Sequence, residues 1–565
     1  MPAKIRVRRR PKGADPALTH CGSRGIVTMT GAWGTVMIAR LFFAIALILP
    51  TAAQATWHEA TSNHFIVYSE GTQQDAQEFA ARLERFDYVL RSVRPVPAGT
   101  PSLKLRVFIL QDQNAVGRIT GGSVAGFYVP DQRGLMLVGT RRRTAGSADI
   151  RTVRENVADI DPEAVLFHEY THHFTFQYFP ATYPVWYSEG FAEFWGATRI
   201  LAGDVVEVGL PADHRFSTFR ALGWLPLDRL LSAHNYSEVP GENIFLLYAE
   251  GWLLVRYLFE HPQRQRQIQE YLRLVNQGVD FAEAARRAIP DMAAFNNELY
   301  QYAGARRYNV VRLPFRTIDI GQIAVRTLRP SEQALIMDEL KVSRGYRQRE
   351  ATEYAAAVRG RAGRFPDDPF AIRLVMETQY LAENHAEAIA AADRLLAIEP
   401  NHARALTIKG MSQMAALAAS RNSDQAAWRA ARALVARAVN AAPQDPVVLS
   451  AYYRSFLLQN VLPPDAAQSA LYTAMELAPS DDELRFLLAR DYEQRGMIAE
   501  AMAVIRPVAY QVPHRPDETE GERRERQTRE QRERRAGEQW HENARELLIR
   551  VEALAARPAA PSRSN

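Results

Sequence analysis

Residues able to hold a transition metal, and an acid able to move a proton beside it, fall within one stretch of this 565-residue chain. His168 and His172 are one helical turn apart, so a helix places both imidazoles on one face, within reach of a single ion. Glu169, next to the first histidine, stands at the flank of that ion. There a carboxylate can take a proton from a water polarised by the metal and return it to a leaving amine, the proton traffic of amide hydrolysis. Glu189, in the segment 184–193 (PVWYSEGFAE), offers a third ligand from a second helix. Glu193 follows one turn later, placed to accept the free N–H of a ligand histidine and fix its tautomer. Three protein ligands with a fourth position open is the catalytic arrangement of zinc, and one Zn2+ per chain is the expected cofactor.

The elements that must position these groups are also legible. Asp161-Pro162-Glu163 gives the first helix an N-cap, a proline at its first position and an acid in its first turn. Val165, Leu166, Phe167 and Phe174 anchor it, and Tyr170 and Thr171 keep the stretch between the histidines uncharged. His173 faces away from the metal and reads as a packing or surface residue. A turn through Tyr178-Phe179-Pro180 and Tyr183-Pro184 leads into the second helix.

HEYTH followed by PVWYSEGFAEF resembles the gluzincin metallopeptidases, the clan of thermolysin and aminopeptidase N. The similarity is greatest to bacterial exported proteins of the peptidase MA-like group, which join such a domain to helical repeats. It covers residues 161–198. It implies that Glu189 is the third zinc ligand, that Glu193 supports the ligands and that Glu169 is the general base. No G-A-M-E-N-type motif precedes the metal helix, which favours an endopeptidase. The resemblance also implies that an extended peptide adds to a sheet edge beside the metal helix, the candidate edges being 126–129 and 134–138. It further implies an oxyanion-stabilising Tyr or His downstream, with Tyr248 placed ahead of Tyr236 and His214.

Around this site the chain divides into an α+β zincin-like metallopeptidase domain followed by an all-α tetratricopeptide-like solenoid. Residues 56–160 read as its α/β part, with strands at 64–68, 103–110, 125–130 and 134–138 and a helix at 73–93. Residues 161–345 read as its helical zinc-binding part, including an apolar helix at 243–260. Residues 350–513 carry alanine-rich helix pairs ending at Pro400, Pro443, Pro479 and Pro513, whose spacing approaches the tetratricopeptide period of about 34 residues. The wider first interval reads as an insertion near 420–425, and Ala388, Ala438, Ala474 and Ala501 are expected at helix crossings. The concave face of such an array is expected to bind a protein partner or substrate. Residues 514–565 read as a charged linker, a capping helix and a disordered tail.

Residues 37–55 combine Arg40, a short apolar run and Ala53-Gln54-Ala55, the form of a secretory signal peptide. The basic residues 1–36 then read as an extension outside the native product, with Met29 or Met37 as the start. An exported protein, periplasmic or secreted, is expected, with no membrane span after cleavage. Cys21 is the sole cysteine, so cysteine nucleophiles and cysteine-bound metals are excluded from the mature chain. A net charge of +5 over this length, concentrated near the start, gives no reason to expect nucleic acid. Zinc peptidase is the favoured reading. The alternative is a catalytically inactive, zinc-stabilised envelope scaffold acting through its repeats.

Overall fold

The computed structural model describes residues 56–96, 103–121, 124–141, 161–211, 213–239, 243–304, 308–315, 317–346, 348–511 and 540–556. The basic leader, the signal-like run, Cys21, the charged run 517–537 and the tail 558–565 lie outside them.

Alternating apolar residues form the sheet. Strand β1 (Trp57–Thr61) runs antiparallel to β2 (Phe65–Glu70), and Phe65 and Val67 turn inward beneath helix α1 (Gln73–Val93). β3 (Leu105–Leu110) lies parallel to β2 and is followed by α2 (Gln113–Thr120). β4 (Phe127–Val129) and β5 (Met136–Thr140) pair antiparallel across a turn, β5 lying parallel to β3.

The same inner face receives α3 (Pro162–Tyr178), where Phe167 stacks on Phe86 at 4.0 Å and Tyr170 meets Phe65 edge-on at 5.2 Å. Asp161 caps α3 as its sequence predicts, accepting from the Glu163 amide. Next come α4 (Val185–Gly196), the hairpin of β6 (Arg199–Leu201) and β7 (Val205–Val208), and α5 (Asp213–Leu222). α6 (Leu227–Ser232), a 3-10 turn at Tyr236–Glu238, α7 (Asn243–Glu260), α8 (Pro262–Val275), α9 (Phe281–Ala288) and α10 (Met292–Ala303) complete the helical layer. β8 (Val311–Pro314) joins β7, and β9 (Ala324–Thr327) returns to pair with β1. The main sheet therefore runs β4-β5-β3-β2-β1-β9, with β4 at one edge.

α4 and α7 cross with their backbones in contact. A Cβ on Gly190 would lie 2.3 Å from the Gly251 carbonyl, so only glycine permits this approach.

The remaining helices are α11 (Pro330–Arg344), α12 (Gln348–Ala362), α13 (Pro369–Leu381), α14 (His385–Ile398), α15 (Ala403–Ala419), α16 (Gln425–Ala441), α17 (Pro446–Leu457), α18 (Asp465–Leu477), α19 (Asp482–Gln494) and α20 (Ile498–Ala509). Consecutive helices pack as hairpins, a tetratricopeptide-like array. Ala388, Ala438, Ala474 and Ala501 are fully buried, as small residues at helix crossings must be. The wide interval between Pro400 and Pro443 is absorbed by longer helices: α15 and α16 have 17 residues each, whereas α17 has 12 and α18 has 13. A last helix, α21 (Trp540–Ala555), buries Ala544, Leu547, Leu548 and Val551 against Ile505 and Val508.

α11 joins the two regions. Its Leu335 and Val342 pack on α12 and α13, while Ile336 and Leu340 cover Phe108, Met136 and Val138 on the outer face of the sheet.

Candidate metal centre

α3 brings His168 and His172 to one face, and α4 brings Glu189 against them. The two Nε2 atoms lie 3.1 Å apart, with Glu189 Oε2 at 3.3 Å from His168 and 3.5 Å from His172. Donors roughly 2.0–2.2 Å from a tetrahedral zinc stand about 3.3–3.6 Å from one another; the two Glu189 separations fall in that range and the Nε2 pair lies slightly inside it, so the triangle is close to the size that zinc requires. The donor set, two imidazoles and a carboxylate, also suits it. Glu193, expected to support a ligand histidine, has Oε1 at 3.4 Å from His168 Nδ1. Ser188 Oγ lies 3.2 Å from His172 Nδ1, so the far nitrogen of each ring has a polar neighbour that holds its orientation.

The electrostatics favour a cation between the rings. Burial alone would lower His168, but its hydrogen bond with Glu189 and the charges of Glu193 and Glu169 raise it to about 9. Glu189 is pulled well below the ordinary carboxylate range by the two histidines, against the effect of burial. Glu169 does not join the triangle. Burial, assisted by Glu189 and Glu193, holds its carboxyl above the ordinary range despite the nearby histidines, which makes it a stronger base than a solvated glutamate.

Three further groups brace the centre. Arg215, buried on α5, forms a two-pronged ion pair with Glu193, Nε donating to Oε2 at 3.0 Å and Nη2 donating to Oε1. Tyr236, in the 3-10 turn, donates its hydroxyl to Glu189 Oε1. That turn is fixed by His234, which bonds Glu238 and stacks on Phe281 at 4.0 Å. Tyr248 lies on α7 with its ring 6.4 Å from that of Tyr236 and 5.1 Å from the Arg215 guanidinium, and its hydroxyl pairs with Tyr236. Of the tyrosines considered from sequence, Tyr236 therefore makes the direct contact with a ligand and Tyr248 stands behind it. The His214 side chain lies outside the description.

A second group of metal-capable residues, His64, Glu84 and Asp87, lies beneath α3. Its donors are already engaged: His64 Nδ1 bonds Glu84 at 2.8 Å, while Asp87 accepts from Arg91 Nε at 2.6 Å and from the Tyr170 hydroxyl. This is a buried polar network that fastens α1 to the metal helix. His173 is a packing residue rather than a surface one: it is buried, its Nδ1 3.2 Å from the Tyr128 hydroxyl, and burial lowers it to about 3, which keeps it neutral.

Of the two candidate sheet edges, β5 is internal and β4 is the edge. Gly126, just before β4, lies against the base: a Cβ there would meet Glu169 Cγ at 3.4 Å and Val165 Cγ1 at 2.6 Å.

No family model matches this chain, and no curated protein does. Among solved structures it is similar to a thermophilic TPR protein of Thermus thermophilus, with 18% identity and a TM-score of 0.27, covering 35% of this chain and 97% of that one.

Proposed function

We propose that this protein is an exported zinc-dependent peptidase, acting as an endopeptidase on protein or peptide substrates. The observation that carries the reading is the triangle of His168, His172 and Glu189 donors, close to the separations zinc requires, with Glu169 beside it but outside it. A purely structural metal site has no use for a half-buried acid adjacent to its first ligand. Bound there, zinc would act as a Lewis acid, polarising a water and a substrate carbonyl. Glu169 takes the proton of that water and delivers it to the leaving amine. Tyr236 and Arg215 hold Glu189 and Glu193 in place, and β4 orients the substrate backbone by adding it as a further strand. The signal-like run 37–55 supports export, and among the described residues no helix is long and apolar enough to cross a membrane.

Two variants test the assignment. Elemental analysis is expected to find one zinc per chain in the parent protein and none in Glu189→Ala. Glu169→Gln is expected to keep zinc and fold while cleavage of a quenched fluorescent peptide library falls by at least about 100-fold. Full cleavage by Glu169→Gln would remove that residue from the mechanism, and zinc indifferent to Glu189 would remove the site.

A further inference from the structure

The helical array does not extend away from the metal domain; it closes on it. At one end α11 covers the sheet, with Arg344 donating to the Ile119 carbonyl. At the other, Gln177 at the end of α3 donates to the Leu477 carbonyl at 2.9 Å, and Thr182 donates to the Pro507 carbonyl at 3.3 Å. Between these ties, the β4–β5 turn enters the concave face, where the Gln132 amide donates to Asp481 at 2.8 Å and Ser450 donates to the Gln132 side chain at 2.6 Å. The rest of that face stays open as a chamber of about 1930 Å3, walled by β4 on one side and by α11, α13, α15, α17 and the start of α19 on the other.

The geometry points to this chamber as the channel for an extended, unfolded polypeptide, held along β4 so that the chain to one side of the cleaved bond lies between the sheet and the helical array. The inference deepens the peptidase reading above and rests on it. Three observations select this occupant. The chamber is larger than the roughly 300–1,000 Å3 typical of small-molecule sites. Phe127, Tyr128 and Val129 of the edge strand all line it, and among the described residues β5 alone pairs with β4, so the outer side of β4 is available for backbone hydrogen bonding. Much of the wall charge is matched internally: Arg373 with Glu339 and Glu377, Arg404 with Asp445, Arg454 with Glu483. An acidic or basic side chain gains little from these groups.

The contact of Gly126 with Glu169 sets the path: a strand laid along β4 passes the base at one end and runs into the chamber at the other.

The test uses the zinc-loaded Glu169→Gln chain and fluorescein-labelled, unstructured peptides of mixed Ser, Thr, Gln and Val. Lengths of about 6 and 24 residues span roughly 20 and 80 Å when extended. Anisotropy is expected to show the longer peptide binding at least about 10-fold more tightly, which corresponds to 1.4 kcal/mol. Met337→Trp, at a chamber-lining position that is 40% exposed, is expected to remove that advantage and leave the short peptide unaffected. Equal affinity for both lengths, or an advantage untouched by Met337→Trp, would overturn the channel. With Glu169 restored, equal cleavage of short and long peptides would also count against it while leaving the peptidase intact. Length- and wall-dependent binding without any cleavage would keep the channel and remove the peptidase reading.

Discussion

At the scale of single residues, the centre depends on groups that never touch the metal position. Glu193 faces His168, and Arg215 faces Glu193, so the guanidinium neutralises an acid that would otherwise sit buried beside Glu189 and Glu169. Arg215→Met keeps most of the apolar volume but removes the countercharge. It is expected to weaken zinc binding by about 10–100-fold and to destabilise the fold by about 3–5 kcal/mol, the range for a buried ion pair losing one partner. Chelator competition with a zinc-responsive dye measures the first and urea unfolding the second; unchanged affinity would show that Glu193 does not act through His168. The pairing of His168 with His172, and Glu169 beside them, was legible in the sequence because a one-turn helical spacing fixes that relation locally, whereas the approach of Glu189 depends on how the second helix packs. Arg215 and Tyr236 were hidden in this role because their partners lie on α4, and no periodicity encodes a contact made by folding α5 and a loop back onto it.

At the scale of elements, the separation of the histidines from Glu189 is set by how closely α4 can lie against its neighbours. Gly190 follows the third ligand directly and touches Gly251 of α7 with backbone alone. Gly190→Ala must push the two helices apart, at a cost of about 1–3 kcal/mol for overpacking, and moves Glu189 with α4. The expected result is a lower melting temperature together with weaker zinc binding, read by calorimetry and metal analysis on the same sample. A destabilised variant with normal zinc affinity would show that the crossing supports the core but does not set the ligand distance. The sequence predicted α1 and α7 with the bounds they have in the structure, since amphipathic or continuously apolar helices declare themselves. β1, β9 and the small β6-β7-β8 sheet went unpredicted. β9 is short and largely exposed, and its partner β1 lies at the other end of the domain, so only the closed chain brings them together.

At the scale of the whole molecule, the array and the metal domain meet at a carboxyl that is poorly placed for its charge. Asp481 caps α19 through the Leu484 amide and also takes the Gln132 amide of the β4–β5 turn. Burial first, and then the Asp131 carboxylate, nevertheless raise it to about 7, against those two donors. Asp131 is itself paired with Arg133, and Glu483, which adds to the effect, is paired with Arg454. Between the ordinary aspartate range and about 7, the folded chain keeps a proton that the unfolded chain has released. Folded protein then binds more protons than unfolded, so stability falls as pH rises through that window. Full expression of the shift amounts to roughly 4 kcal/mol, at about 1.4 kcal/mol for each pH unit. Asp481→Asn removes the ionisation while presenting an amide group towards Gln132, so it is expected to lower stability at pH 5 and to lose less on going to pH 8 than the parent does. Thermal melts of both proteins across that interval give the comparison. Parallel curves would mean that Asp481 is already ionised at low pH and that the junction between array and metal domain is indifferent to its charge.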